Sequence, residues 1–320
     1  MEIWGLVDDR TGHRGQVLGV LTKLAMPYVI KNLEYTWLAK LPNPLIGAGM
    51  HHLTRESISA LSGKWPDLIV AAGRRIVPVL RYIKQQSPGT KLVYLMDPES
   101  HYDVFDLIAI PEHDHPPTRD NVITTSAPLH SITQQILGPS RVHWHEQFKH
   151  LPRPWVALCL GGNTRKTRYE VGDWEKLAAA VNRLAGDEGS VLVTSSRRTP
   201  KEALGIMRKS ISRPSMIYDY EQGMDNPYLG FLACANAICV TGDSLSMCAE
   251  ATASGKPVYI FAPSEVMASK YTRLHQSLFL KGVAEPLNSK TMLPFFHPRE
   301  TIDDTGLVVE AIRKRFANYF

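Results

Sequence analysis

Along the chain, short runs of aliphatic and β-branched residues alternate with longer stretches whose apolar positions recur at helical spacing, and most short runs end in Gly, Asp or Ser. That alternation is the pattern of strand–helix units wound around parallel sheets. The first half carries such runs at residues 3–7, 35–38, 68–72, 91–96, 107–110 and 122–124, and the second at 155–160, 191–194, 216–218, 238–241 and 258–261. Two series predict two sheets, hence an α/β chain of two Rossmann-like domains. Residues 138–155, rich in His, Pro and charge and without a clear apolar period, read as the connection between them. The division is then 1–140, a linker at 141–154, 155–300, and a terminal segment 301–320. In that segment Leu307, Val308, Ile312 and Phe316 fall at helical spacing, so a helix caps one domain or the other, with a return to the first as one option.

Length agrees with two domains, since 320 residues are enough for two cores without disulfides. With 44% apolar and 21% charged residues the composition is that of a globular protein. Thirty-six Lys and Arg against 31 Asp and Glu leave only +5, which favours anionic small molecules over a dedicated nucleic-acid binder. Cys159, Cys234, Cys239 and Cys248 lie in apolar segments without a CxxC pair and read as reduced core residues of a cytoplasmic protein. The start lacks a signal-peptide pattern, and no window is apolar enough to span a bilayer, which leaves room only for peripheral contact at the inner membrane.

In open parallel sheets ligands bind past the carboxyl ends of strands, so chemistry-bearing residues are sought there. After the first run comes DDRTGHRGQ, in which Gly12 and Gly15 open a turn toward an anion, with His13 beside them. The spacing is neither GxGxxG nor a Walker loop, and a tight turn alone is the alternative reading. Gly161 and Gly162 follow the first strand of the second series, removing side chains where a ligand would lie, and Arg165, Lys166 and Arg168 come next. A solvated basic loop reads similarly. The run at 191–194 leads into Ser195, Ser196, Arg197, Arg198, Thr199 and Pro200, hydroxyls and guanidiniums at a predicted N-cap that suit phosphate, or else surface ion pairs. Residues 225–261 read as helix, buried strand, polar turn, short helix, glycine turn and buried strand. Asp243, Ser244, Ser246 and Met247 stand at the start of the short helix, Glu250 lies one turn beyond Ser246, and Gly255 ends it. A carboxylate there suits the two vicinal hydroxyls of a ribose; capping and surface roles are the alternative. Glu112, His113, Asp114 and His115 follow another strand and supply a base, or less readily a metal site, because neighbours in an extended loop point to opposite sides. His143 and His145 read as hinge or surface residues.

The stretch from Gly242 to Pro257 resembles the donor-nucleotide motif in the second domain of GT-B glycosyltransferases such as the peptidoglycan GlcNAc transferase. SSRRTP, NPYLGFLACANA, TGDSLSMCAEATASGKPVY and PEHD together resemble the ELM1-like family, named for a plant mitochondrial fission factor, over essentially the whole chain. The resemblance implies a GT-B-like arrangement of the two domains, with Gly161, Gly162, Ser246 and Glu250 at nucleotide-sugar positions. The resulting expectation is a metal-independent glycosyltransferase that needs no cofactor and uses a nucleoside-diphosphate sugar with an unknown acceptor. Gly12, Gly15, Ser195, Ser196, Arg197, Arg198, Asp243, Ser244 and Met247 then join the phosphate-binding set, and His13, Glu112 or Asp114 serves as general base. Two alternatives stand beside it, a non-catalytic recruiting protein with a protein partner, as in the plant relatives, and a nucleotide-sugar epimerase.

Overall fold

A computed structural model describes residues 1–165, 167–223, 225–292, 295–297 and 301–319. Lys166 of the basic cluster lies outside the described residues. The chain divides into two compact units, one formed by Met1–Ser131 with Asp303–Phe320 and the other by Ile132–Ile302.

The first unit is built on β1 (Ile3–Val7), β2 (Val29–Asn32), β3 (Leu68–Ala71), β4 (Lys91–Tyr94), β5 (Leu107–Pro111) and β6 (Val122–Thr125). They pair in the order β2-β1-β3-β4-β5-β6, every pair parallel. The second contains β7 (Trp155–Cys159), β8 (Ser190–Thr194), β9 (Ser215–Tyr218), β10 (Ala237–Thr241), β11 (Val258–Phe261) and β12 (Glu285–Pro286), ordered β12-β11-β10-β7-β8-β9 and again parallel. Helices cover both faces of such sheets, so the central strands are apolar along most of their length. All residues of β1, β3, β7, β8, β10 and β11 are buried. Winding reverses between β1 and β3 in one sheet and between β7 and β10 in the other, the places where loops diverge and leave a crevice.

Two sequence expectations change. Residues 35–38 do not form a strand: Trp37–Lys40 is a short 3-10 turn, and Tyr35 makes only an isolated bridge to Leu53. The strand is Val29–Asn32, an edge strand whose side chains are half-buried or exposed, so its apolar signal is weak. Residues 138–148 are likewise not a loose connection but part of the helix Gln134–Phe148, which belongs to the second unit. Thr133 caps it by accepting the Ile136 N–H, and its contacts run down one narrow line, Leu137, Trp144 and Phe148. Phe148 lies 5.6 Å from the Trp144 ring, 5.4 Å from Phe231 and 5.8 Å from Trp155. A stripe that thin is swamped by the polar positions around it.

The terminal helix, Asp304–Arg315, sits in the first unit. Val308, Val309, Ile312 and Phe316 share a core with Val17, Val20, Leu21 and Leu24 of the helix Thr11–Leu24. The Asp304 carboxylate accepts the Ala127 N–H at 2.9 Å and the Thr305 hydroxyl donates to the His130 carbonyl at 3.2 Å. No helix among the described residues is long and apolar enough to cross a membrane.

Gly230, on the helix Tyr228–Cys234, faces Trp144 so closely that a Cβ there would fall inside the indole. Gly230→Ala should therefore cost about 1–3 kcal/mol through overpacking, seen as a lower urea midpoint with an unchanged m-value.

Candidate functional site

At the β1/β3 reversal the chain leaves β1 into Asp8 and Asp9, and leaves β3 through Gly73 into Arg74 and Arg75. The Asp8 carboxylate is buried. One oxygen lies 3.0 Å from His13 Nδ1 and accepts the Arg10 N–H at 3.1 Å, while the other accepts from the Arg75 guanidinium at 2.9 Å. Burial pushes the Asp8 carboxyl up, but His13, Arg75 and the Arg10 amide together outweigh it and hold it below the usual carboxylate range. Asp8 is thus an anion at neutral pH, so His13 Nδ1 carries the shared proton and the ring's basic lone pair is on Nε2. Arg75 also bonds Asp9 and stacks over the Tyr35 ring at 4.3 Å.

Gly12 and Gly15 are not in a turn. The helix already begins at Thr11, and neither glycine has positive φ. Arg10 is its extended N-cap residue, without a side-chain cap, and no acid stands in the first turn. A pocket of about 500 Å³ opens here, walled in part by Asp9, Arg10, Thr11, Arg14, Tyr35 and Arg75. Glu112, His113 and Asp114 form a short 3-10 turn after β5, with His113 buried and the two acids half-buried. Because β4 separates β5 from β3, the sheet sets this turn roughly 10 Å to the side of the reversal. His115 follows with φ 55°. Among the described residues no group of three or more His, Cys, Asp or Glu side chains is gathered as metal ligands.

At the β7/β10 reversal Gly161 and Gly162 face the loop after β10. Their missing side chains leave space that the protein itself fills: a Cβ on Gly161 would strike the Asp243 carboxylate, and one on Gly162, at φ 140°, would strike the Arg198 carbonyl. Asp243 is wholly buried and accepts the Gly162 N–H at 3.0 Å, the Tyr169 hydroxyl at 3.3 Å and the Arg198 guanidinium at 2.8 Å. Burial pushes its carboxyl up, and Arg198 with the hydrogen bonds recovers only part of the shift. The hydroxyls of the β8 loop also face inward. Ser196 and Thr199 donate to the Gly161 carbonyl at 2.5 and 2.7 Å, and Ser195 accepts the Tyr220 N–H at 2.8 Å. Thr199 consequently does not cap the following helix, Lys201–Ser210, whose N-cap is Pro200. Arg197 is exposed.

The short helix Leu245–Thr252 starts at Ser244 with no side-chain cap, which leaves its first amides directed past the tip of β10. Ser246, Met247 and Glu250 are half-buried, and Gly255 turns the chain at φ 73°. Glu250 accepts the Tyr228 hydroxyl at 2.5 Å. Burial pushes its carboxyl up to about 7, and the Tyr228 hydrogen bond opposes that rise. All four cysteines are buried, and burial raises each thiol.

The structure thus brings His13 to Asp8, and Gly161, Gly162 and Arg198 to Asp243, while Glu112 and Asp114 sit apart. Sequence reasoning reached Arg75 only as part of AAGRR, residues 71–75, a strand end that could line the cleft, and passed over Asp8, Tyr169 and Tyr228 as functional positions. Asp8 carried a signal, an acid directly after a buried strand and five residues before a histidine; Tyr228 carried none.

The family model for mitochondrial fission ELM1 matches residues 11–316. The chain belongs to that family. An uncharacterised protein of Rickettsia prowazekii is 29% identical, covering 98% of each chain. The Arabidopsis thaliana mitochondrial fission protein ELM1 is 26% identical over 79% of this chain and 64% of its own length. Among solved structures, a Neisseria meningitidis UDP-GlcNAc 2-epimerase bound to UDP-GlcNAc superposes with a TM-score of 0.57 at 11% identity, covering 98% of this chain and all of that one. The Streptomyces nogalater glycosyltransferase SnogD does so with 0.52 at 11%, covering 99% and 95%. The family member is therefore a GT-B-like α/β protein, sharing its fold with glycosyltransferases and epimerases.

Two titrations test these environments. Arg198→Ala leaves the Asp243 carboxylate buried without its cation. It should cost about 2–3 kcal/mol at pH 7, reduced from a fully buried pair because the guanidinium is partly exposed. The raised carboxyl makes the folded state hold the proton longer, so the variant should lose further stability as pH rises and regain it toward acid. Glu250, at about 7 against an ordinary 4.5, withdraws up to about 3 kcal/mol between those pH values as pH rises. Urea midpoints of Glu250→Gln should lack that decline.

Proposed function

We propose that the chain is a nucleotide-sugar-dependent glycosyltransferase that works without a metal on an acceptor hydroxyl. The donor is assigned to the second unit. Its phosphates lie on the uncapped amides of Leu245–Thr252, with Ser244, Ser246 and the guanidiniums of Arg197 and Arg198 at hand, and Glu250 exchanges Tyr228 for the ribose hydroxyls. Amides, hydroxyls and guanidiniums stabilise a departing diphosphate as a metal ion does, and one such oriented donor typically contributes about 100- to 1,000-fold in rate. His13 is assigned as base. The acceptor proton passes to Nε2, its oxygen bonds the anomeric carbon, and the nucleoside diphosphate leaves with the electron pair of the broken bond. The resulting imidazolium is stabilised by Asp8.

The observation that carries this reading is the buried Asp8–His13 pair, a histidine with its proton fixed by an anion at a strand-tip reversal. The uncapped helix and Glu250 past β10 supply its nucleotide side. The epimerase reading shares that second site and differs in needing no acceptor.

Melting the protein with UDP, GDP, CMP and their sugars is the test. A nucleotide at 100 times its dissociation constant adds about 2.7 kcal/mol. One class should raise the melting point, Glu250→Ala should abolish the rise, and His13→Ala should keep it while losing transfer. If no nucleotide raises the melting point, the recruiting role stands instead, and a free epimerised nucleotide sugar formed without an acceptor would favour the epimerase.

A further inference from the structure

The pocket of the first unit has a wall of unusual electrostatics. Cations are disfavoured at a helix N-terminus, where the dipole is positive, yet Arg10 and Arg14 stand one turn apart at the start of Thr11–Leu24, with no acid in its first turn. Both are exposed, and Arg14 is steered across to β2 by donating to Asn32 Oδ1 at 2.7 Å. The acids that line the cavity are Asp8, Asp9 and Glu34. Asp8 and Asp9 are both engaged by Arg75, leaving Glu34 alone against Arg10 and Arg14. Tyr35 and Arg75 form an adjoining wall, and the buried Tyr35 hydroxyl and Arg75 Nε–H have no hydrogen-bond partner among the described residues. The helix dipole, two arginines and Thr11 therefore meet at one cavity, with Tyr35 and Arg75 in its wall, and together they favour an anion.

We propose that this pocket binds a phosphate ester, and that the acceptor of the transfer is a phosphate-bearing hydroxyl compound. Arg10 and Arg14 take the phosphate with the amides of the first helical turn, and the hydroxyl-bearing part lies against the wall formed by Tyr35 and Arg75. The acceptor role rests on the glycosyltransferase reading, whereas the binding of a phosphate ester does not.

The full chain is titrated with glycerol 3-phosphate, glycerol and glycerate by calorimetry, and with UDP in parallel, with amide chemical shifts followed by NMR. Glycerol 3-phosphate should bind and move the amides of Thr11, Gly12 and His13, while glycerol should not bind. Combined Arg10→Ala and Arg14→Ala should weaken glycerol 3-phosphate at least tenfold and leave UDP within twofold, and Glu250→Gln should do the reverse. Because both arginines are exposed, the double variant keeps its core, and combined Arg10→Lys and Arg14→Lys should restore part of the affinity. Wild-type affinity in the double variant, or glycerate binding as tightly as glycerol 3-phosphate, would overturn the assignment. Arginine-dependent binding of glycerol 3-phosphate without any binding of UDP would uphold the pocket and remove the nucleotide reading; UDP binding alone would do the opposite.

Discussion

The carboxylate of Asp243 holds the strand-tip end of the second sheet together. Lying two residues past β10, it accepts from the first loop after β7 and from Arg198 beyond β8, so three neighbouring strand ends converge on one buried anion. A carboxylate without water is costly unless its lone pairs are filled, and here an amide, a phenol and a guanidinium fill them. That requirement explains the residues around it. Gly161 and Gly162 are small because the carboxylate and the Arg198 carbonyl occupy the space beside them. The hydroxyls of Ser196 and Thr199 fasten the β8 loop to the Gly161 carbonyl.

The first sheet meets the same constraint in another way. Asp8 follows β1 directly and is bonded by Arg75, which lies four residues beyond β3, as Arg198 lies four residues beyond β8. Parallel sheets send consecutive loops out at one end, and an Asp–Arg pair across the reversal fixes how far those loops diverge. The two anions differ in their surroundings. Asp8 also has His13 and the Arg10 amide, and its carboxyl is held below the usual carboxylate range, whereas Asp243 is more deeply buried and its carboxyl is raised. One anion therefore orients a histidine, and the other sets a scaffold.

Legibility in the sequence followed burial. Strands such as β1, β7 and β10 are fully buried and read as continuous apolar runs, so ten of the eleven anticipated runs coincide with strands. Val29–Asn32, at a sheet edge, and Gln134–Phe148, with its thin aromatic stripe, show little contrast between faces and were not visible as elements. The site was legible as loops but not as partners. Glycines after β7 mark a close approach, yet nothing in a single chain says whether a ligand or another part of the protein makes it; here the neighbour is Asp243. Tyr228 reaches Glu250 across 22 positions, a pairing that only the packing of two helices creates.

The proposed nucleotide site consists of the amides past β10 and the carboxylate of Glu250. A structure of the chain with UDP bound tests it most directly. The diphosphate should lie on the N–H groups of Leu245, Ser246 and Met247, with Glu250 released from Tyr228 and bonded to both ribose hydroxyls. UDP lodged elsewhere, with the Tyr228–Glu250 hydrogen bond intact, would contradict it.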